Sequence, residues 1–275
     1  MLNHQFKINS LCVLLLLACN IVFAQKAAFK KMIWSDEFNY TGLPDSLKWS
    51  YDVGNGCPEN CGWGNNELQF YTSKRLQNAR VENGRLIIEA RKEDFSGAQY
   101  TSSRLLSKNK GDWKYGRLEI RAKIPSGKGM WPAIWMLPTN WDYGKWPHSG
   151  EIDIMENVGY WSDSVFGSIH TGAYNGMRGT QKTKGLRFDD LSRSFHVYAI
   201  EWTAETISFF VDDQKYHVFK NEHTGSETWP YDKEFHLLMN ITVGGNWGGK
   251  FGVDNSIFPQ KMEIDYVRVF QQLTR

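Results

Sequence analysis

The sequence predicts an all-β protein, a sandwich or a barrel. Apolar and polar residues alternate with a period of two in many segments, and no stretch holds a helical apolar stripe for three turns. Turn signals such as Asn83-Gly84 and Ser126-Gly127 punctuate the alternating runs. The clearest strand is Arg117-Leu118-Glu119-Ile120-Arg121-Ala122-Lys123-Ile124, with its charged residues on one face. Arg85–Arg91, Phe195–Trp202 and Glu263–Phe270 follow the same pattern. Thr206–Val211 reads as a strand entering an Asp212-Asp213 turn, and Tyr216–Phe219 as the returning strand. Two aligned sheets with a curved face would leave a groove for an extended ligand.

The start of the chain reads as a targeting segment. Lys7 supplies a positive charge, Leu11–Ala18 and Ile21–Phe23 are apolar, and Val22-Phe23-Ala24 precedes Gln25. This is the pattern of a secretory signal over residues 1–24, cleaved after Ala24, with a secreted or periplasmic product. The apolar stretch is too short for a membrane span. A second reading takes Leu16-Leu17-Ala18-Cys19 as a lipid-attachment box acylated at Cys19, although apolar residues would then follow the lipid directly. Residues 25–275 suit one large β domain, since such sandwiches run to about 200–250 residues as single units. No linker, charge block or repeat divides them. A net charge of +2 gives no reason to expect nucleic acid or an anionic membrane as partner, and a monomer is expected.

Beyond the signal the chain keeps two cysteines, Cys57 and Cys61. In an oxidising compartment they are expected to form a small-loop disulfide, the alternative being two free thiols. They are too few for a structural zinc site. No nucleotide-binding loop, His/Cys cluster or Gly-x-Ser-x-Gly elbow is found, and no catalytic cofactor is expected. The chain holds 12 Trp, 12 Tyr and 16 Phe. Flat indole faces suit the C–H faces of pyranose rings, so the tryptophans suggest a sugar platform, although sandwich cores also use them.

The chemistry is concentrated in Gly150-Glu151-Ile152-Asp153-Ile154-Met155-Glu156. On a strand Glu151 and Asp153 share one face, while Ile152 and Ile154 share the other. Strict alternation would send Glu156 into the core, where a bare carboxylate is costly. One extra residue, a β-bulge, returns Glu156 to the acidic face. Three crowded acids raise one another's pKa. Glu151 is therefore expected to act as nucleophile, Glu156 as acid and then base, and Asp153 to orient Glu151. A solvated acidic face or a calcium site would show the same spacing.

The flanking runs carry a specific resemblance. Gly129-Met130-Trp131-Pro132-Ala133-Ile134-Trp135-Met136-Leu137-Pro138 precedes the acids, and His170-Thr171-Gly172-Ala173-Tyr174-Asn175 follows them. Gly62-Trp63-Gly64-Asn65-Asn66-Glu67-Leu68-Gln69, Gly244-Gly245-Asn246-Trp247-Gly248-Gly249 and Asp265-Tyr266-Val267-Arg268-Val269 complete the set. From about Trp34 to Phe270 the chain resembles family 16 of the glycoside hydrolases, above all its bacterial laminarinases. The resemblance implies a β-jelly-roll of two curved antiparallel sheets and a retaining hydrolase of β-1,3-glucan. It implies that Trp131 and Trp135 flank the scissile site and that Trp247 lies in the non-reducing half of the groove. Asn65 and Arg104 would hold sugar hydroxyls, and His170 would face the leaving side. A structural calcium would take Glu37, the Gly84 carbonyl and Asp265.

Other readings use other substrates or none. Mixed-linkage β-1,3-1,4-glucan is an expected side substrate. Lichenases lack the extra residue in the acid motif, whereas the marine galactanases (agarases, porphyranases and carrageenases) share it. Non-catalytic β-glucan-binding relatives lose the glutamates, which are present here. The loop Asn140–Ser149 is expected to border the groove.

Overall fold

A computed structural model of the protein describes residues 29–272. The signal segment, its cleavage site and Cys19 lie outside the described residues. Two sheets pack face to face as a β-jelly-roll sandwich. The inner sheet runs Lys182–Arg187, Ser164–His170, Glu151–Glu156, Met130–Pro138, Phe235–Val243, Arg104–Leu106, Ser50–Asp52, and Asp112–Trp113 pairs beside Phe235–Val243. The outer sheet runs Gln214–Lys220, Thr206–Val211, His196–Trp202, Gly116–Lys123, Gln260–Gln272, Arg85–Phe95, Ala98–Ser102, Gln69–Tyr71. Phe29–Asp36 joins it along Gln260–Gln272, and Ala79–Glu82 along Arg85–Phe95. Gln69–Tyr71 and Ala98–Ser102 pair in parallel, and the other ladders are antiparallel. The predicted strands are all present, several extended by a few residues. Arg85–Arg91 continues to Phe95, and Glu263–Phe270 spans Gln260–Gln272. Both Asn83 and Gly84 take positive φ, 53° and 71°, the signature of the tight hairpin turn expected there.

The period of two decides what fills the sandwich. On Met130–Pro138 the side chains of Met130, Ile134 and Met136 enter the core, and Trp131 and Trp135 face the groove. Phe235–Val243 does the same, with Leu237, Met239, Ile241 and Val243 inward and His236, Asn240 and Thr242 on the groove side. From the other sheet Leu118, Ile120 and Ala122 meet them. The groove floor is thus the back of the hydrophobic core.

The outer face of the second sheet is laced with charge pairs. Arg117 bridges Glu119 and Glu201, Glu263 receives Lys123 and Arg85, and Arg80 reaches Glu89. Opposite charges on neighbouring strands each add little, but they leave few charges alone. Of the residues expected to hold calcium, Asp265 lies on Gln260–Gln272 of this sheet, Glu37 just follows Phe29–Asp36, and Gly84 sits in the hairpin turn before Arg85–Phe95. Arg268 grips Glu37 through both carboxylate oxygens at 2.9 and 2.8 Å, and Arg121 lies 2.6 Å from Asp265. Each carboxylate already has an arginine as counter-charge. A cation there would have to compete with both arginines. The sulfurs of Cys57 and Cys61 are joined as a disulfide. Among the described residues no helix is long and apolar enough to cross a membrane.

One buried acid ties the chain's first strand to the core. Asp36 is 2% exposed and accepts from Trp49 Nε1 at 2.8 Å, the Tyr40 hydroxyl at 3.1 Å and the Phe38 amide at 3.2 Å. Removing it strands two buried donors and the half-buried Tyr40 hydroxyl. Asp36→Ala should lower unfolding stability by about 2–4 kcal/mol, read from urea denaturation.

Candidate active site

The acid strand Glu151–Glu156 lies between Met130–Pro138 and Ser164–His170. Its entry needs a glycine. Gly150 has φ 89°, and a Cβ there would sit 2.8 Å from Pro230 Cγ. Along the strand Asp153 pairs with Trp135, but Met155 pairs with Ile134, so Ile154 is the extra residue. Ile154 and Met155 both enter the core, and Glu151 and Glu156 share the groove face. The bulge demanded by the cost of burying Glu156 is there.

Two indoles hold the two glutamates. Trp146 Nε1 donates to Glu151 Oε2 at 2.9 Å, and Trp131 Nε1 donates to Glu156 Oε1 at 3.0 Å. Ser168 adds a second side-chain hydrogen bond to Glu156, and His170 Nε2 stands 3.8 Å from Glu151 Oε1. Tyr231, fully buried, donates toward the backbone carbonyls of Glu151 (3.2 Å) and His170 (2.9 Å), clamping two adjacent strands.

His170 stands directly across the ladder from Glu151. Its Nε2 lies 3.3 Å from Asp153 Oδ2 and 3.8 Å from Glu151 Oε1. The resemblance placed it on the leaving side, yet its ring reaches the first two acids. Gly176 N–H donates to His170 Nδ1 at 3.2 Å, which leaves Nε2 to carry a proton toward Asp153. Burial opposes a charge on this ring, but the hydrogen bond to Asp153 and the surrounding carboxylates prevail and push it up to about 9. A second proton would cost the Gly176 hydrogen bond. Burial, then the charges of Glu151 and Glu156, push Asp153 well above the usual carboxylate range. Asp153 and His170 therefore hold protons between them beside Glu151. Burial likewise pushes Glu156 up to about 7; His170 and the Trp131 bond pull the other way. Ligating atoms of Glu151, Asp153 and His170 lie within 4.8 Å of one another and could surround a cation, but one Glu151 oxygen is taken by Trp146.

On one side of the acids the groove is polar and tightly knit. Arg104 is 6% exposed, lies over the adjacent rings of Trp63 (4.3 Å) and Tyr71 (4.6 Å), and has Trp135 at 5.4 Å. Its Nη atoms lie 3.5 Å from Asp52 and 3.7 Å from Glu67. Arg104 Nε and Trp63 Nε1 are buried without a protein partner. Buried donors of this kind call for an ordered water or a ligand oxygen. Asn65 lies at the edge of this network, 3.4 Å from Glu67. Trp135 donates to Asn240 at 2.8 Å. On the other side the groove is aromatic. Trp247, which the resemblance put in the non-reducing half, stands on this side of the acids, away from Arg104. Its ring lies between Trp131 (5.6 Å) and Phe166 (5.1 Å), beside Glu156.

Four groups here went unread in the sequence: Trp146, Glu67, Trp63 and Tyr231. Trp146 lies in the loop expected to border the groove, but nothing in that loop marks which of its tryptophans turns inward. Glu67 had a signal. It is buried while its neighbour Leu68 is 47% exposed, an inverted phase at the mouth of a strand.

A curved sheet that carries two indole-braced glutamates over an apolar core defines a glycoside hydrolase. The chain belongs to family 16 of the glycosyl hydrolases, whose family model matches residues 66–268. It is 50% identical to a beta-glucanase of Rhodothermus marinus over 280 residues, covering 98% of this chain and 96% of that protein. The laminarinase structure from Rhodothermus marinus superposes with a TM-score of 0.86 at 53% identity, over 89% of this chain and 98% of that one. A non-specific endo-beta-1,3(4)-glucanase of the family gives 0.83 at 45% identity, over 89% and 93% of the two chains.

The raised carboxyl makes stability depend on pH in a defined direction. Glu156 holds its proton to about 7 in the folded protein, above its ordinary 4.5. Its contribution to stability is complete below that ordinary value and is lost as pH rises through 7. Glu156→Gln, which cannot ionise, should be more stable than wild type at pH 8 by on the order of 2–3 kcal/mol. The two should converge near pH 4, measured by calorimetry across that range.

Proposed function

We propose that this protein is a retaining endo-hydrolase of β-1,3-glucan, of the laminarin type, with Glu151 as nucleophile and Glu156 as acid/base. The single observation that carries the reading is the bulged strand that turns both glutamates to one groove, each braced by an indole N–H. Trp146 occupies Oε2 of Glu151, so Oε1 attacks the anomeric carbon. Glu156, pushed up to about 7, enters the cycle protonated and gives its proton to the leaving oxygen. The glycosyl ester cancels the charge on Glu151. That charge helped hold the proton on Glu156, so its pKa falls, and Glu156 takes a proton from the incoming water. Asp153 and His170 orient and balance Glu151. Trp131 and Trp135 offer the faces that flank the scissile sugars, and Arg104 and Asn65 offer donors for hydroxyls. The identity to a laminarinase across nearly the whole chain supports the substrate. Mixed-linkage β-1,3-1,4-glucan is a second substrate in this reading, supported by the likeness to the non-specific endo-beta-1,3(4)-glucanase. We infer export of the mature chain from Gln25, because the leader has the charge, length and cleavage pattern of a signal.

Product release from laminarin, curdlan, mixed-linkage glucan, agarose, porphyran and carrageenan tests the substrate. A ladder of short β-1,3-oligosaccharides from laminarin is expected, with the β-anomer formed first by proton NMR. Release from a galactan alone would overturn the substrate assignment and leave the acids in place.

Glu151→Ala should abolish turnover on every substrate. Glu156→Gln should lower kcat by about 10²–10⁴-fold on laminarin, and by much less on a glucoside whose leaving group needs no proton. The basic limb of kcat against pH should fall near 7, where Glu156 loses its proton. Full activity in Glu151→Ala would remove the nucleophile assignment.

A further inference from the structure

The aromatic side of the groove does not end at the acids. From Trp131 the ring contacts run to Trp247, to Phe166 at 5.1 Å, to Trp161 at 5.9 Å, to Tyr160 at 5.3 Å and to Phe251 at 4.8 Å. Two rings on this path are open to solvent, Trp161 at 47% and Phe251 at 58% exposure. Water-exposed Trp and Phe on one continuous path are unfavourable for a soluble fold unless something covers them.

The two loops that display these rings are fixed. Gly159 approaches Gly127 so closely that a Cβ on it would lie 2.0 Å from the Gly127 carbonyl oxygen. Gly127 N–H donates to Gly159 O at 3.0 Å, and Gly159 N–H to Met130 O at 2.8 Å. Asn157 Nδ2 donates to the carbonyls of Trp161 and Ser164 at 2.9 and 2.7 Å. The Tyr160 hydroxyl donates to Trp247 O at 3.2 Å, tying one loop to the other. A rigid aromatic surface loses little entropy when a flat ligand covers it. Exposed Trp141, by contrast, lies in no such path.

We propose that Trp161 and Phe251 form an accessory platform for the β-glucan chain, outside the groove and continuous with it on the Phe166 side. The inference rests on the substrate reading above. The occupant is a pyranose segment of the same polymer, because the path begins at the indole that holds Glu156; its rings meet mostly edge to face, so Trp161 and Phe251 would each seat a separate sugar. Its polar edge would meet water, and its C–H face the indole and phenyl rings. The platform engages only chains long enough to leave the groove, so it selects for polymer over short oligosaccharide.

The test compares laminarin with a short β-1,3-gluco-oligosaccharide in Trp161→Ala, Phe251→Ala and the double variant. The double variant should raise KM for laminarin by about five- to tenfold and leave kcat near wild type. Its kinetics on the short oligosaccharide should be unchanged. Equal loss on both substrates, or no change on laminarin, would overturn the platform. Should Trp161→Ala lower the melting temperature, Trp161→Leu keeps apolar cover without a flat face and must show the same split. If wild type leaves laminarin uncut, the substrate reading fails first and on its own.

Discussion

A β-strand turns each residue away from the last, so two side chains five positions apart cannot share a face without an irregularity. The site depends on that irregularity. At Ile154 one residue is inserted, two apolar side chains enter the core in succession, and Glu156 comes round to stand with Glu151. Without it the second glutamate would lie between the sheets, among methyl and phenyl groups. The hydrophobic core therefore holds the acids in place from behind. The tight fit of Gly150 against Pro230 and the Tyr231 clamp across two strands fix where the acid strand begins.

Crowded, buried acids would repel one another if all were ionised. The protein resolves this by giving each a different partner. Glu151 has an indole N–H, Asp153 has an imidazole, and Glu156 keeps its own proton to about neutrality. Differences in surroundings separate the roles of chemically equal groups. In the proposed reaction the same indoles that brace the acids would also border the sugars, so binding and proton management would share side chains.

Most of the fold was legible because a half-buried strand writes its two faces into alternate residues. Arg117–Ile124 and Thr206–Val211 were read nearly to their ends for that reason. The bulge was legible for a related one, since a carboxylate in the core phase of Gly150–Glu156 demanded correction. Side chains delivered by loops were not. Trp146 approaches Glu151 through the path of an irregular segment, and no local pattern specifies that path. Trp247 stands against Phe166, a contact between residues 81 positions apart that no local pattern announces. The carboxylates expected to bind calcium are answered by Arg268 and Arg121, which the resemblance did not indicate. The resemblance names positions, and it does not specify which neighbour each side chain takes.

The paired charges of the outer sheet have a consequence for how the protein meets its ligand. With arginines and lysines matched to acids strand by strand, and a net charge of only +2, little field extends beyond the surface. A neutral polysaccharide would in any case give such a field nothing to pull on. Encounter is left to collision and to the grip of flat rings. Capture should therefore run at the same pace in fresh water and in brine.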